Sequence, residues 1–324
     1  MTTAVEIVEV APRDGFQPIG PWIPTETKIA FLQRLAAAGL RRIEIGSFVS
    51  ATAIPQLRDT AELIAAAAMI PGLRPQVLVP TAHRGRDAVA AGARFLVYVL
   101  SASEAHNRSN VRRSVAESVE DYARLLDGLP ADTELRINLA TAFDCPFEGR
   151  MAIGPVLDLL GRLAALRPDV EICLCDTTGR ATPDHVGQLA AAAMASCPQV
   201  ATWAYHAHDT YGLGLATTYA AYREGVRVFD AAAGGLGGCP FAPGATGNVA
   251  TEDVVWMFER MGIGTGVELR ALLPVAQDAA ALPGASAGGR ARAALLSQPG
   301  SAANMPTDTG QSGTYDGHSP PTAM

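Results

Sequence analysis

Eight short runs of apolar and β-branched residues punctuate the chain, each followed by a longer stretch whose apolar positions recur at helical spacing. The runs are Val5–Val10, Arg42–Gly46, Gln76–Pro80, Phe95–Leu100, Leu135–Ala140, Glu171–Cys175, Thr202–Ala207 and Val226–Ala231. Helices are expected near 25–38, 56–70, 83–91, 114–128, 153–166, 183–195, 214–224 and 249–261, with one more at about 267–282 packed beside the rest. Eight strand–helix units predict an α/β fold, a closed parallel (β/α)8 TIM barrel with an additional C-terminal helix. An open, doubly wound sheet would call for G-x-G-x-x-G after the first strand, and the chain reads Ala11-Pro12-Arg13-Asp14-Gly15 there. Apolar periodicity stops near residue 284, and Gly, Ser, Pro and Thr then dominate. Residues 1–284 are therefore expected to form the barrel domain and 285–324 a low-complexity, disordered tail.

In such a barrel chemistry belongs at the C-terminal ends of the strands, and polar residues fall there repeatedly. Strand 7 ends in His206-Ala207-His208-Asp209-Thr210. Residues two apart in a strand share a face, so the two imidazoles project side by side. They can hold a metal ion if an oxygen ligand comes from elsewhere, or they can simply cap and pack. Strand 1 runs into Arg13, Asp14 and Gln17; strand 2 carries Glu44 and ends at Ser47; strand 6 ends at Asp176. Strand 8 leads to the glycine-rich segment Gly234–Asn248, which contains Cys239. Asp14 offers a hard oxygen and Asn248 an amide, giving with the histidines a mixed shell suited to Mg²⁺, Mn²⁺, Co²⁺ or Zn²⁺, the first two favoured by oxygen-rich ligation. Arg13 is either an ion-pair partner of Glu44 or Asp176 or a stabiliser of negative charge on a substrate oxygen. Cys173-x-Cys175 reads as packing in a buried strand.

Composition narrows the chemistry. Net charge is −7, which argues against a nucleic-acid partner. No apolar segment approaches a membrane span, and Met1–Glu6 has neither the basic nor the apolar region of a leader. Five cysteines, few and odd in number, fit a reducing cytoplasm. Lys28 is the only lysine and sits where a helix begins, so a Schiff-base lysine at a strand tip is excluded. An enzyme of this composition that makes or breaks carbon–carbon bonds does so with a metal.

From about Val5 to Leu282 the chain resembles the 3-hydroxy-3-methylglutaryl-CoA lyase family of metal-dependent barrel lyases, related to Claisen-type synthases. The resemblance is carried by Val8-Glu9-Val10-Ala11-Pro12-Arg13-Asp14-Gly15-Phe16-Gln17, Ile43-Glu44 with Ser47-Phe48-Val49-Ser50, His206–Gly212, Gly235–Ala242 and Gly247–Asp253. It implies that Asp14, His206, His208 and Asn248 ligate a divalent cation, Mg²⁺ or Mn²⁺. Arg13 is implied as enolate stabiliser, Cys239 as mobile acid–base group, and His206 as a second proton carrier. Glu44 and Asp176 are implied around the reacting centre, with Gln17 and Ser47 toward the substrate. The expected reaction is a retro-Claisen cleavage of a 3-hydroxyacyl-CoA by a homo-oligomer, a dimer. The leading substrate is (S)-3-hydroxy-3-methylglutaryl-CoA, split to acetoacetate and acetyl-CoA as in leucine degradation and ketone-body formation. A citramalyl-type or longer hydroxyacyl-CoA, or condensation of acetyl-CoA with a 2-oxo acid, are the alternatives. The chain departs from the family after the last barrel helix, where Ala281–Ala285 lacks the usual Asn and Lys that touch CoA. It departs also in Ser101–Asn110 and in the turn Pro18–Pro24.

Overall fold

The structure is a computed structural model that describes residues 4–238 and 247–297. Ten strands are present among them: β1 (Glu6–Glu9), β2 (Arg42–Ser47), β3 (Arg74–Val79), β4 (Phe95–Ser101), β5 (Glu134–Ala140), β6 (Asp144–Cys145), β7 (Gly149–Arg150), β8 (Glu171–Asp176), β9 (Trp203–Ala207) and β10 (Val228–Ala231). Eight of them close into a parallel barrel in the order β1-β10-β9-β8-β5-β4-β3-β2, while β6 and β7 form a separate hairpin. The barrel strands are buried almost throughout, as expected of strands covered on both faces.

The helices are α1 (Thr25–Ala37), α2 (Thr60–Ala67), α3 (Ala82–Ala90), α4 (Glu104–Val111), α5 (Val115–Leu126), α6 (Ile153–Leu166), α7 (Pro183–Ser196), α8 (Gly214–Arg223), α9 (Thr251–Arg260), α10 (Leu269–Ala280) and α11 (Arg290–Leu296). Local chemistry starts several of them. Ser114 and Glu117 form a reciprocal capping box on α5, and Thr182 caps α7 ahead of Pro183. Two elements differ from the expected pattern. Helix α4 follows β4 at once, its N-terminus capped by Ser103. The tail expected from residue 285 instead carries α11, because Asp253 accepts from the backbone N–H of Arg290 (3.0 Å) and Ala291 (2.6 Å), and Arg292 pairs with Glu252 at 3.2 Å. The rest of that tail lies outside the described residues. No helix among the described residues is long and apolar enough to cross a membrane.

The barrel interior is not wholly apolar. Arg42 and Arg136 are fully buried; Arg42 pairs with Glu171 at 2.7 Å and Arg136 with Asp230 at 2.6 Å. A chain of charge thus runs inside the barrel from its N-terminal end toward the tips of β9 and β10.

Candidate active site

After β1 the backbone makes one π-helical turn, Ala11–Gly15, instead of an ordinary loop. Pro12 has no N–H to give, and the Phe16 N–H reaches back to the Ala11 carbonyl at 2.8 Å. Such wide turns recur at functional sites, and this one presents Arg13 and Asp14 over the barrel mouth. Gly15 is required there: a β-carbon would stand 2.8 Å from that of Leu236. Glu9 lies beneath the turn and accepts from the N–H groups of Ala11 (2.8 Å) and Ala233 (2.9 Å) and from the Thr251 hydroxyl (2.7 Å), tying the first and last parts of the barrel together.

His206 and His208 leave the tip of β9 on one face, their ring centroids 5.1 Å apart. Asn248, far away in sequence, arrives by backbone pairing. The Asp209 N–H donates to Gly247 O (2.8 Å) and Val249 N–H to Ala207 O (3.0 Å), which sets Asn248 opposite His208. Two glycines allow the approach, since a β-carbon on Gly247 would come 2.5 Å from the Gly237 backbone and one on Gly237 2.8 Å from the Asn248 amide. Asp14, His206 and His208 present ligand atoms all within 4.8 Å of one another, a set that could hold a metal ion. The Asp14 Oδ2 is 3.7 Å from His208 Nε2 and 4.0 Å from His206 Nε2. Those separations are just under twice a metal–ligand bond of about 2.1 Å, so one ion fits between the groups. The Asn248 amide donates to Asp14 Oδ2 (2.8 Å) and Leu236 O (3.0 Å), while its own oxygen is buried without a partner. An orphaned amide oxygen beside a carboxylate and two imidazoles is the donor set of a hard or borderline divalent cation.

The electrostatics are shaped around this cluster. Burial alone would raise the Asp14 carboxyl, but Arg13, His208 and His206 override it and hold it well below the usual carboxylate range. For His206 burial works against the charged form, yet the hydrogen bond from its Nδ1 to Asp230 Oδ2 (3.0 Å) and the surrounding anions push it up to about 9. His208 moves down, through burial, the nearby His206 and Arg13, although Asp14 opposes the shift. Arg13 is buried and bonded to both Glu44 and Asp14. Glu44 also accepts from Gln76 at 3.1 Å, so Arg13 is clamped rather than free to turn.

The predicted residues divide into two groups. Arg13, Asp14, Glu44, His206, His208 and Asn248 are linked by these contacts. Asp176 is buried at the tip of β8, where Oδ2 accepts from Ala181 N–H (3.2 Å) and Oδ1 has no partner; burial pushes it up to about 6. Ser47 is buried with its hydroxyl unpartnered, and Gln17 lies on the surface. Cys239 lies outside the described residues. Cys173 and Cys175 place their sulfurs 3.7 Å apart, buried and unoxidised, within the core. The polar stretch after β4 is largely self-contained: His106 Nδ1 bonds Ser101 Oγ at 2.7 Å, Arg108 pairs with Glu104 and Arg113 with Asp121.

Asp230 and Arg136 were not legible as site residues. Asp230 accepts from Arg136 and carries His206, so the imidazole's outer nitrogen is aimed at Asp14 by the carboxylate behind it. The available signal was a lone acid in the apolar run Val226–Ala231 and a lone arginine in Leu135–Ala140.

Residues 4–278 match the model of the HMGL-like family. The rat cytoplasmic 3-hydroxy-3-methylglutaryl-CoA lyase is 39% identical over 270 residues, 83% of this chain and 78% of that protein. The (R)-citramalyl-CoA lyase of Chloroflexus aurantiacus is 38% identical over 281 residues, covering 83% and 88%. Among solved structures, an HMG-CoA lyase from Acinetobacter baumannii, in complex with coenzyme A and 3-methylmalate, superposes with a TM-score of 0.82 at 39% identity, covering 89% of this chain and 93% of that one.

Proposed function

We infer the function from one premise: the chain belongs to the HMGL-like family, whose model runs through the whole barrel. It is a carbon–carbon lyase that cleaves (S)-3-hydroxy-3-methylglutaryl-CoA to acetoacetate and acetyl-CoA. The observation that carries this reading is the convergence of Asp14, His206 and His208 on one point at the barrel mouth, with Arg13 against them.

Asp14, His206, His208 and the Asn248 oxygen would hold a divalent cation, Mg²⁺ or Mn²⁺. Such an ion would lower the pKa of the tertiary hydroxyl, on the carbon whose bond breaks, and would offset the charge of the carboxylate carried by the same fragment. Arg13 stays cationic throughout, because Asp14 and Glu44 more than offset the cost of its burial. In this reading its guanidinium supplies the counter-charge for the thioester enolate oxygen as the carbon–carbon bond opens; losing such a contact costs about 3 kcal/mol in the barrier. The clamp from Glu44 fixes that cation before substrate arrives, so no reorganisation accompanies charge development. The hydroxyl proton leaves towards Asp176 as the carbon–carbon bond opens to acetoacetate and the enolate, and Cys239 gives its thiol proton to the enolate carbon, releasing acetyl-CoA. Gln17, in the loop after β1, and Ser47, the last residue of β2, contact the substrate, and Asp176, with a free buried oxygen and a raised pKa, relays a proton.

A second reading, cleavage of a citramalyl-CoA to pyruvate and acetyl-CoA, is favoured by the near-equal similarity to the Chloroflexus enzyme. The four described cysteines are free thiols, which supports a cytoplasmic location. Incubating the purified protein with each thioester and Mg²⁺ separates the readings. Acetoacetate from the first substrate at the higher kcat/KM is expected; pyruvate from the second at the higher value overturns the assignment.

A further inference from the structure

We propose that Trp22 and Arg58 form the subsite for the nucleotide end of the substrate, taking a purine ring and its phosphates; this rests on the acyl-CoA reading above. Trp22 lies in the loop after β1 and Arg58 in the loop after β2, so both stand at the same end of the barrel as Asp14. Trp22 comes eight positions after Asp14 (22 − 14), which bounds their separation at about 28 Å. The nucleotide of a CoA thioester hangs on a long pantetheine arm, so its contacts fall on this rim and not at the reacting carbon.

The turn carrying Trp22 is held rigidly. Gln56 is buried and donates to the carbonyls of Ile19 (3.0 Å) and Pro21 (2.9 Å) while accepting from Ile23 N–H (3.1 Å). Ile19 and Ile23 are buried on either side, and Pro18, Pro21 and Pro24 stiffen the backbone. The turn is seated between the two ends of the late chain: Pro18 lies beneath Gly238, and Pro21 packs so closely on Gly284 that a β-carbon there would come within 3.0 Å. A turn fixed this firmly nonetheless leaves its indole 38% exposed.

Two cations flank the ring, each 4.0 Å from its centroid, and they differ in kind. Lys28 is buried and neutralised by Asp59 at 2.9 Å, so it serves the fold. Arg58 is exposed, and its guanidinium makes no hydrogen bond or ion pair among the described residues. With the indole covered by the two cations, the plane left open is the outer face of the Arg58 guanidinium, backed by Trp22, which offers a stacking surface and a phosphate fork together. The net charge of −7 argues against a polynucleotide, and the acyl-CoA reading supplies a single nucleotide as the ligand for such a surface.

The test is calorimetric binding of adenosine 3′,5′-bisphosphate, the nucleotide half of CoA, alongside kinetics with hydroxyacyl-CoA and with the corresponding pantetheine thioester. Trp22→Ala and Arg58→Ala are each expected to raise the Kd for the bisphosphate about 10-fold. KM for the CoA thioester should rise similarly with kcat within twofold, and cleavage of the pantetheine thioester should be unchanged. Arg58→Ala, at an exposed position, keeps the result independent of any unfolding caused by Trp22→Ala. Equal bisphosphate binding by wild type and both variants overturns the subsite, as does an equal loss on the pantetheine thioester, which would make the pair structural. Bisphosphate binding that is lost in the variants, by a protein that cleaves no thioester, upholds the subsite and refutes the lyase reading instead.

Discussion

Asp230→Asn removes one negative charge from the barrel interior at nearly constant volume, and the structure sets what should follow. Around Asp230 the buried charges are Arg42, Arg136 and the His206 imidazole, pushed up to about 9, against Glu171 and Asp230, with the half-exposed Glu6 3.3 Å from Arg42 at the far end. Without Asp230 two buried guanidinium groups share Glu171, which stands 2.7 Å from Arg42 but 3.4 Å from Arg136. Stripping one partner from a buried pair costs about 3–5 kcal/mol, mainly the desolvation of the charge left behind. That is a large fraction of the roughly 5–15 kcal/mol that holds a domain folded. The same substitution loosens His206, whose Nδ1 rests on Asp230, and a lost second partner of this kind lowers metal affinity about 10–100-fold. Urea unfolding at pH 7 measures the first effect and Mn²⁺ titration the second. Arg136→Met combined with Asp230→Asn should recover part of the stability, because the orphaned cation goes with it, giving a coupling of about 2 kcal/mol. A single variant within about 0.5 kcal/mol of wild type, or a coupling near zero, refutes the argument that the interior charges act as one network.

Three further outcomes are expected. Glu9 has its carboxyl pushed up by burial from 4.5 to about 7, so between those values the folded protein holds a proton that the unfolded chain has released. Stability should therefore fall as pH rises through this window, and Glu9→Gln should reduce that slope by about one proton in urea titrations; an unaltered slope counts against it. Cys239→Ala should cut turnover about 100-fold or more while metal binding survives, as measured by steady-state kinetics and equilibrium dialysis; unchanged turnover removes the thiol from the reaction. Arg13→Lys keeps the charge but not the fork that Glu44 and Asp14 grip, and should lower kcat at least 10-fold with little change in metal affinity.

The barrel was legible because its strands are buried on both faces and its helices are amphipathic, so two periodicities alternate along the chain. The first-strand aspartate and the paired histidines were legible for a related reason: polar side chains at the ends of apolar runs have nothing to do in a core. Glu44 was legible as a polar residue in such a run, and as one of the two ion-pair partners, with Asp176, that the sequence offered for Arg13. Asp230 and Arg136 were not, because a single charge inside an apolar run carries no sign of what it will face across a closed barrel. Helix α4 escaped notice because Glu104–Val111 is polar on most of its surface and draws its start from Ser103. Helix α11 escaped because its apolar content is slight and its anchors, Glu252 and Asp253, lie nearly forty residues away. Trp22 and Arg58 are separated by a helix in the chain, and only the fold sets them against each other.

Binding of Mn²⁺ followed by electron paramagnetic resonance, with cleavage assayed on the same samples, tests most directly whether one ion is held by these distant groups. One ion per chain is predicted for the wild type, with occupancy lost in Asp14→Ala and His208→Ala and hydroxyacyl-CoA cleavage rising and falling with occupancy. Full Mn²⁺ binding by both variants, or undiminished cleavage after chelation to metal-free protein, would contradict the account.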